Sequence, residues 1–256
     1  MVENPIAKKI PVMEIFGPTI QGEGAVIGQQ TYFIRFGLCD YKCTMCDSMH
    51  AVDPKSVKAN AEWLTQDEIF EKFAEFHKPN TTKWVTLSGG NPCVHDLEHL
   101  VQLLLRNGFK IHVETQGTLN PNWLRYVTLV TISPKGPGMG ELTDIKILDR
   151  FVHDTSLYTP ISMKIVVFDQ RDLDFARSMF YQYKDRIHEQ MMFLSLGNPN
   201  PPSLNGTDTI SHDEHMNQLL SAYRTLLDDI VNDAILSKVK FLPQWHVFVW
   251  GNAKGV

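Results

Sequence analysis

The chain has 256 residues, 43% of them apolar and 21% charged, with a formal net charge of -5 and a pI near 6.0. That length and apolar share suit one large domain with a substantial core, and the acidic balance argues against nucleic acid held on a broad basic surface, so a small molecule is the default ligand. No basic-then-apolar leader opens the sequence and no apolar run reaches about 18 residues, so neither export nor membrane spanning is indicated and a cytoplasmic location is expected.

Residues 1–11 carry Pro5 and Pro11 with little periodicity and read as a mobile lead-in. A short strand is expected at 12–16. The stretch Gly17-Pro18-Thr19-Ile20-Gln21-Gly22-Glu23-Gly24 concentrates glycine and proline, marking an irregular loop. Gln21 and Glu23 offer an amide and a carboxylate suited to a polar heterocycle; the alternative is a plain surface turn. Residues 31–36 form a strand apolar at nearly every position, as where both faces are covered. Arg35 within it must find an anion, either a structural carboxylate or one on a ligand.

Cys39, Cys43 and Cys46 follow at spacing C-x3-C-x2-C. A compact loop giving three thiolates to a four-iron cubane leaves one iron with an open position, and in this respect the loop resembles that of the radical SAM superfamily, where S-adenosylmethionine (SAM) occupies the vacancy. A zinc loop completed by a His, or a chance spacing, is the alternative, although zinc sites favour cysteine pairs separated by a longer gap. Asp47 and Ser48 place hard oxygen donors beside this loop, the kind that suits Mg2+. Cys93, the one remaining cysteine, reads as a small buried residue or as a fourth ligand.

From Thr65 the period becomes helical, with Ile69, Phe70, Phe73 and Phe76 on one face and Thr65 and Glu68 spaced as a capping box. A strand at 84–87 feeds the glycine turn Ser88-Gly89-Gly90-Asn91-Pro92, and a helix over 96–107 ends at Gly108. Strands are expected at 110–114, 129–133, 162–167, 191–196 and 239–242, with helices at 173–183 and 219–231. Residues 197–212, rich in proline and glycine, read as a long loop. Glu214, His212 and His215 read as a solvated helix start. The alternation predicts an α/β fold with a parallel sheet and right-handed crossovers, its ligand site at the C-terminal strand ends.

Five segments together, Ile20-Gln21-Gly22-Glu23-Gly24, the cysteine loop with Asp47-Ser48, Glu114-Thr115-Gln116-Gly117, Ser133-Pro134-Lys135 and Pro243-Gln244-Trp245-His246, resemble the 7-carboxy-7-deazaguanine synthase family of 7-deazapurine (queuosine) biosynthesis, from about Pro11 to Val256. The resemblance implies a single domain folded as a partial, modified TIM-like (β/α) barrel of the radical SAM type. It implies a [4Fe-4S] cluster on Cys39, Cys43 and Cys46, and SAM against Met45, Cys46, Asp47, Gly90, Glu114, Ser133, Pro134, Lys135, Ser195, Leu196, Gly197 and Asn198. The substrate, 6-carboxy-5,6,7,8-tetrahydropterin, would meet Ile20, Gln21, Gly22, Glu23, Arg35, Ser88, His246 and Val256, with Mg2+ at Ser48 where the family has threonine. Loss of ammonia follows hydrogen abstraction at C6 and ring contraction; a flavodoxin or ferredoxin as electron donor and a homodimer are further implications. Asn91 replaces a carboxylate common in the family, and its oxygen is expected to keep orienting the SAM amine. A glycyl-radical-enzyme activase and a non-catalytic iron-sulfur or zinc module are the rival readings.

Overall fold

The computed structural model describes residues 8–202, 204, 210–253 and 255. Residues 1–7 of the lead-in, part of the 197–212 loop and Val256 lie outside the described residues. The strands are β1 Ile10–Ile20, β2 Gln30–Phe36, β3 Glu62–Leu64, β4 Trp84–Gly89, β5 Lys110–Thr115, β6 Leu129–Ile132, β7 Ile161–Val167, β8 Met192–Leu196 and β9 Lys240–Leu242. The helices are α1 Met49–Val52, α2 Pro54–Asn60, α3 Gln66–Phe76, α4 Glu98–Arg106, α5 Ile145–Ser156, α6 Gln170–Tyr183, α7 His212–Val231 and α8 Trp245–Trp250.

One nine-stranded sheet runs in the order β3-β1-β2-β4-β5-β6-β7-β8-β9. From β2 onward its strands pair parallel and in chain order, while β1 joins β2, and β3 joins β1, antiparallel. Crossovers of one hand between strands in this order carry the helices to one face, and parallel connections are overwhelmingly right-handed. β3 and β9 remain at opposite edges, so the barrel is partial and open, as expected.

Alternation along the strands divides the two faces. Ile34, Phe36, Leu87, Ile111, Val113, Val130, Ile132, Met163, Ile165 and Leu194 are buried in the main core. Among the intervening positions, Thr31, Thr86, His112, Thr131 and Ser162 form a buried polar ladder across five strands. Thr31 and Thr86 hydroxyls lie 3.1 Å apart, Thr86 Oγ1 lies 3.4 Å from His112 Nδ1, and Thr131 Oγ1 is 2.7 Å from both His112 Nε2 and Ser162 Oγ. Burial, reinforced by nearby Lys164, pushes the His112 pKa down to about 3, so its imidazole is neutral.

Several boundaries differ from the sequence reading. β1 begins at Ile10 and continues through Ile20, because Gly17 leaves room for the Thr31 and Tyr32 backbone at φ +122; the loop expected from residue 17 starts only at Gln21. The Thr65 capping box is present. α4 starts two residues late, since Asp96 Oδ1 accepts from Glu98 N at 3.1 Å ahead of the helix. α7 starts at His212, capped by Ser211, and His215 is buried and bonded to Asn198 Oδ1 at 2.7 Å, which corrects the solvated-face reading for that residue. The short elements α1, α2, β3 and α8, and the amphipathic α5, had no expectation.

Candidate active site

A cavity of about 230 Å³ lies at the C-terminal ends of the parallel strands. β2 supplies Arg35, β4 Ser88 with Gly90 behind it, β5 Glu114, the segment after β6 Ser133 and Lys135, β7 Lys164, and the segment after β8 Asn198. The Gln21-Gly22-Glu23 loop, the cysteine loop and His246 of α8 complete the wall.

The cysteine side is built by backbone proximity. Gly90 N and Asn91 N donate to Phe36 O and Leu38 O at 3.0 and 2.8 Å, tying the glycine turn to the segment that enters the cysteine loop. A Cβ on Gly89 or Gly90 would stand 2.0 Å from Phe36 O or Leu38 O, so both must be glycine. Asn91 Oδ1 accepts from Cys93 N at 3.1 Å and Thr115 Oγ1 at 2.9 Å, while its Nδ2 donates to Asp40 Oδ1 at 2.8 Å. That oxygen is therefore committed to the protein, and Asn91 is not part of the cavity wall, contrary to its expected role toward the SAM amine. Gln116 Nε2 and Thr118 Oγ1 also donate to the Asp40 carboxylate, and Gln116 Nε2 lies 3.5 Å from Cys39 Sγ. On the other flank Thr44 N and Oγ1 donate to Met139 O at 2.9 and 3.2 Å.

All three clustered cysteines face the cavity, whereas Cys93 packs in the core. Burial pushes the thiols up, to about 11 at Cys43 and about 12 at Cys46, with Lys135 opposing the shift at each. Three soft sulfur donors facing one cavity fit an iron-sulfur group. Among the described residues no three His, Cys, Asp or Glu side chains are gathered as ligands of a single ion.

The facing wall is built from charge. Lys164 Nζ donates to Glu23 Oε2 and Gln244 Nε2 to Glu23 Oε1. Gln21 Nε2 donates to Glu114 Oε1 at 3.2 Å, and its Oε1 accepts from Gly22 N at 2.8 Å. Burial alone would push the Glu23 carboxyl up, but the Lys164 ammonium, His246 and the two hydrogen bonds outweigh it and hold it below the usual carboxylate range. Burial raises Glu114, only partly offset by Lys164. Lys164 would be lowered by burial, yet Glu23 and Glu114 hold it above the usual lysine range. The loop is pressed onto α8: Trp245 N donates to Gly22 O at 3.1 Å, and a Cβ on Gly22 would lie 2.9 Å from His246 Nδ1.

Arg35 joins the walls. Its Nε donates to Glu14 Oε1 at 2.6 Å, so the structural-carboxylate alternative holds, while its Nη1 donates to Ser48 Oγ at 3.2 Å within the cavity. Ser48 Oγ donates in turn to Asp47 Oδ1 at 2.9 Å. Ser88 Oγ is buried and has no protein partner among the described residues, an orphan at the cavity wall.

Of the residues expected to meet SAM or substrate, Ile20, Gln21, Gly22, Glu23, Arg35, Met45, Cys46, Asp47, Ser88, Gly90, Glu114, Ser133, Lys135, Asn198 and His246 line this cavity. Pro134, Ser195, Leu196 and Gly197 do not; all four are buried, and Gly197 packs on the Phe168 ring. Lys164 and Gln244 were missed as site residues. The signal for Lys164 was a lysine inside the apolar run Ile161–Val167.

Compared with known proteins, residues 33–130 match the family model described as the Radical SAM superfamily. The 7-carboxy-7-deazaguanine synthase of Bacillus subtilis is 38% identical over 255 residues, covering 98% of this chain and 100% of that protein. The chain belongs to the 7-carboxy-7-deazaguanine synthase family. A second synthase, from Bacillus cereus, is 39% identical over 97% of this chain and 99% of its own length. QueE from Escherichia coli shares the fold, with a TM-score of 0.63 at 22% identity over 92% of this chain and 94% of that one. The synthase relatives favour neither the activase nor the non-catalytic module.

Proposed function

We propose that the chain is a radical SAM lyase that converts 6-carboxy-5,6,7,8-tetrahydropterin to 7-carboxy-7-deazaguanine with loss of ammonia, in 7-deazapurine (queuosine) biosynthesis. The observation that carries this reading is one cavity lined both by Cys39, Cys43 and Cys46 and by the Gln21-Gly22-Glu23 loop, in a chain that matches synthases along its whole length. Cys39, Cys43 and Cys46 would hold the [4Fe-4S] cluster, and Asp47, Gly90, Glu114, Ser133 and Lys135 would hold SAM; together these groups supply hydrogen-atom abstraction at C6 of the pterin.

The protein's own work is to bind, aim and dry the substrate. Glu23 accepts N–H donors from the heterocycle, and Arg35 and His246 face its carboxylate end. The Ser88 hydroxyl, unpartnered in the wall, is free to bond the ligand. Ser48 Oγ and Asp47 Oδ1 are hard oxygens 2.9 Å apart and fit Mg2+, whose charge would template the substrate carboxylate. Ile20, 45% exposed at the rim, can cover a bound ligand from solvent. A homodimer, a flavodoxin or ferredoxin donor and a cytoplasmic location belong to the same reading; among the described residues no helix is long and apolar enough to cross a membrane.

The test is anaerobic turnover of the reconstituted protein with dithionite, SAM, Mg2+ and the tetrahydropterin. Formation of 7-carboxy-7-deazaguanine is expected. Cleavage of SAM without that product would sink the pterin assignment, and no SAM cleavage with a verified cluster would sink the radical reading.

A further inference from the structure

Lys164 lies on the rigid strand β7, and its side chain is only 10% exposed where it meets the cavity. A buried ammonium must be matched by an anion, and here Glu23 is in direct contact while Glu114 lies close enough to act on it. Glu23 immediately precedes the short 3-10 turn Gly24–Val26, and its side chain makes no capping hydrogen bond there. What fixes it is one donor on each oxygen, Lys164 on Oε2 and Gln244 on Oε1. Each carboxylate oxygen has a second lone pair. Those remaining acceptor sites are available to the cavity that Glu23 lines.

We propose that Lys164 is a positioning residue for ligand selection: it locks the Glu23 carboxylate as a double acceptor, so that the cavity selects a heterocycle presenting two adjacent N–H donors. The 2-amino-4-oxopyrimidine edge of a pterin, with its 2-amino group beside N3–H, has that pattern. The inference rests on the pterin reading and deepens it, by assigning the recognition of that edge to a pair rather than to Glu23 alone. A Glu23 without Lys164 would be an unpaired carboxylate in a buried site, free to turn or to take a proton and so to offer a donor where the ligand also has one.

Two oxidised probes that differ at one position test it: 6-carboxypterin, with an amino group at C2, and 6-carboxylumazine, with a carbonyl there. Binding is followed by pterin fluorescence on the full chain with its cluster, without SAM, for the native protein, Lys164→Met, Glu23→Gln and the double variant. The native protein should prefer the pterin by roughly 100-fold or more, because a site built for a donor rejects an acceptor. Lys164→Met should lose roughly 10- to 100-fold in pterin affinity and most of the discrimination, with iron content unchanged. The double variant should bind no more weakly than Glu23→Gln, since the pair acts as a unit. Weakened binding with discrimination intact would reduce Lys164 to a structural part, and additive losses in the double variant would overturn the coupling. If Lys164→Met does not fold, the double variant, which removes both charges together, still decides the second point. Native protein that neither binds nor turns over the pterin would sink the functional reading itself; native turnover with an unaltered Lys164→Met would sink this inference alone.

Discussion

The cavity wall that carries the cysteines is held by close backbone contacts and backbone hydrogen bonds, whereas the wall facing it is held by charged and amide side chains drawn from segments as far as 221 residues apart. On the first wall, main-chain groups do the work: the glycine turn after β4 lies against the segment leaving β2, and Thr44 N donates to Met139 O. On the second, Glu23, Lys164 and Gln244 come from three distant parts of the chain and meet only because the sheet brings β1, β7 and β9 to one end. The difference is one of tolerance. Backbone walls fail by collision and charge walls fail by leaving a partner unmatched.

Replacing Cys46 by Ser should have the largest effect, abolishing the cluster's charge-transfer absorption and turnover together, since a cubane on this loop has no spare thiolate. Gly90→Ala comes next. Its Cβ would meet Leu38 O at 2.0 Å, and relieving that clash should cost about 3–5 kcal/mol, seen as a fall of about 10 °C in Tm. Gly28→Ala is the control: open space surrounds it at φ +80, so only backbone strain of about 1 kcal/mol should appear. Were the two glycines equally costly, packing would not distinguish the cysteine wall.

The charge wall answers in binding rather than in folding. Glu23→Gln should raise KM for the pterin roughly 10- to 100-fold while leaving the iron content intact. Ser48→Ala should lose Mg2+ stimulation but keep the cluster; unchanged dependence on Mg2+ would remove the metal from Ser48.

What could be read from the sequence follows the same division. The cysteine loop, the glycine turn and the Thr65 capping box are local patterns, and each appears where its spacing put it. A parallel sheet followed from the alternation of strands and helices, whereas the antiparallel β1 and β3 at one edge did not. Lys164 and Gln244 stayed hidden because a buried charge is recognisable only once its partner is known, and that partner lies far away in the chain. Asn91 misled for a related reason: its neighbours, Cys93 N and Thr115 Oγ1, occupy the oxygen expected to serve a ligand. The Thr31–Thr86–His112–Thr131–Ser162 ladder was visible only as scattered polar residues at alternate strand positions until the register aligned them.

That ladder gives a defined pH window. His112 is neutral when folded and its pKa is depressed to about 3, so its contribution to stability is complete above the unfolded value of about 6.5 and is lost as pH falls toward the folded one. The loss should reach about 1.4 kcal/mol per pH unit in that window, and His112→Asn should flatten the acid limb of a Tm profile. An unchanged limb would place the acid sensitivity elsewhere.

The contact between Glu23 and Gln244 also fixes an order in time. At a synthesis rate of about 5–20 residues per second, the 221 residues between them take roughly 10–45 s to make. The partners of the cysteine loop, from Phe36 to Met139, are all present well before that. The segments that hold the cysteine loop are therefore all synthesised before Gln244 and His246, so the cysteine wall can form ahead of the wall that faces it.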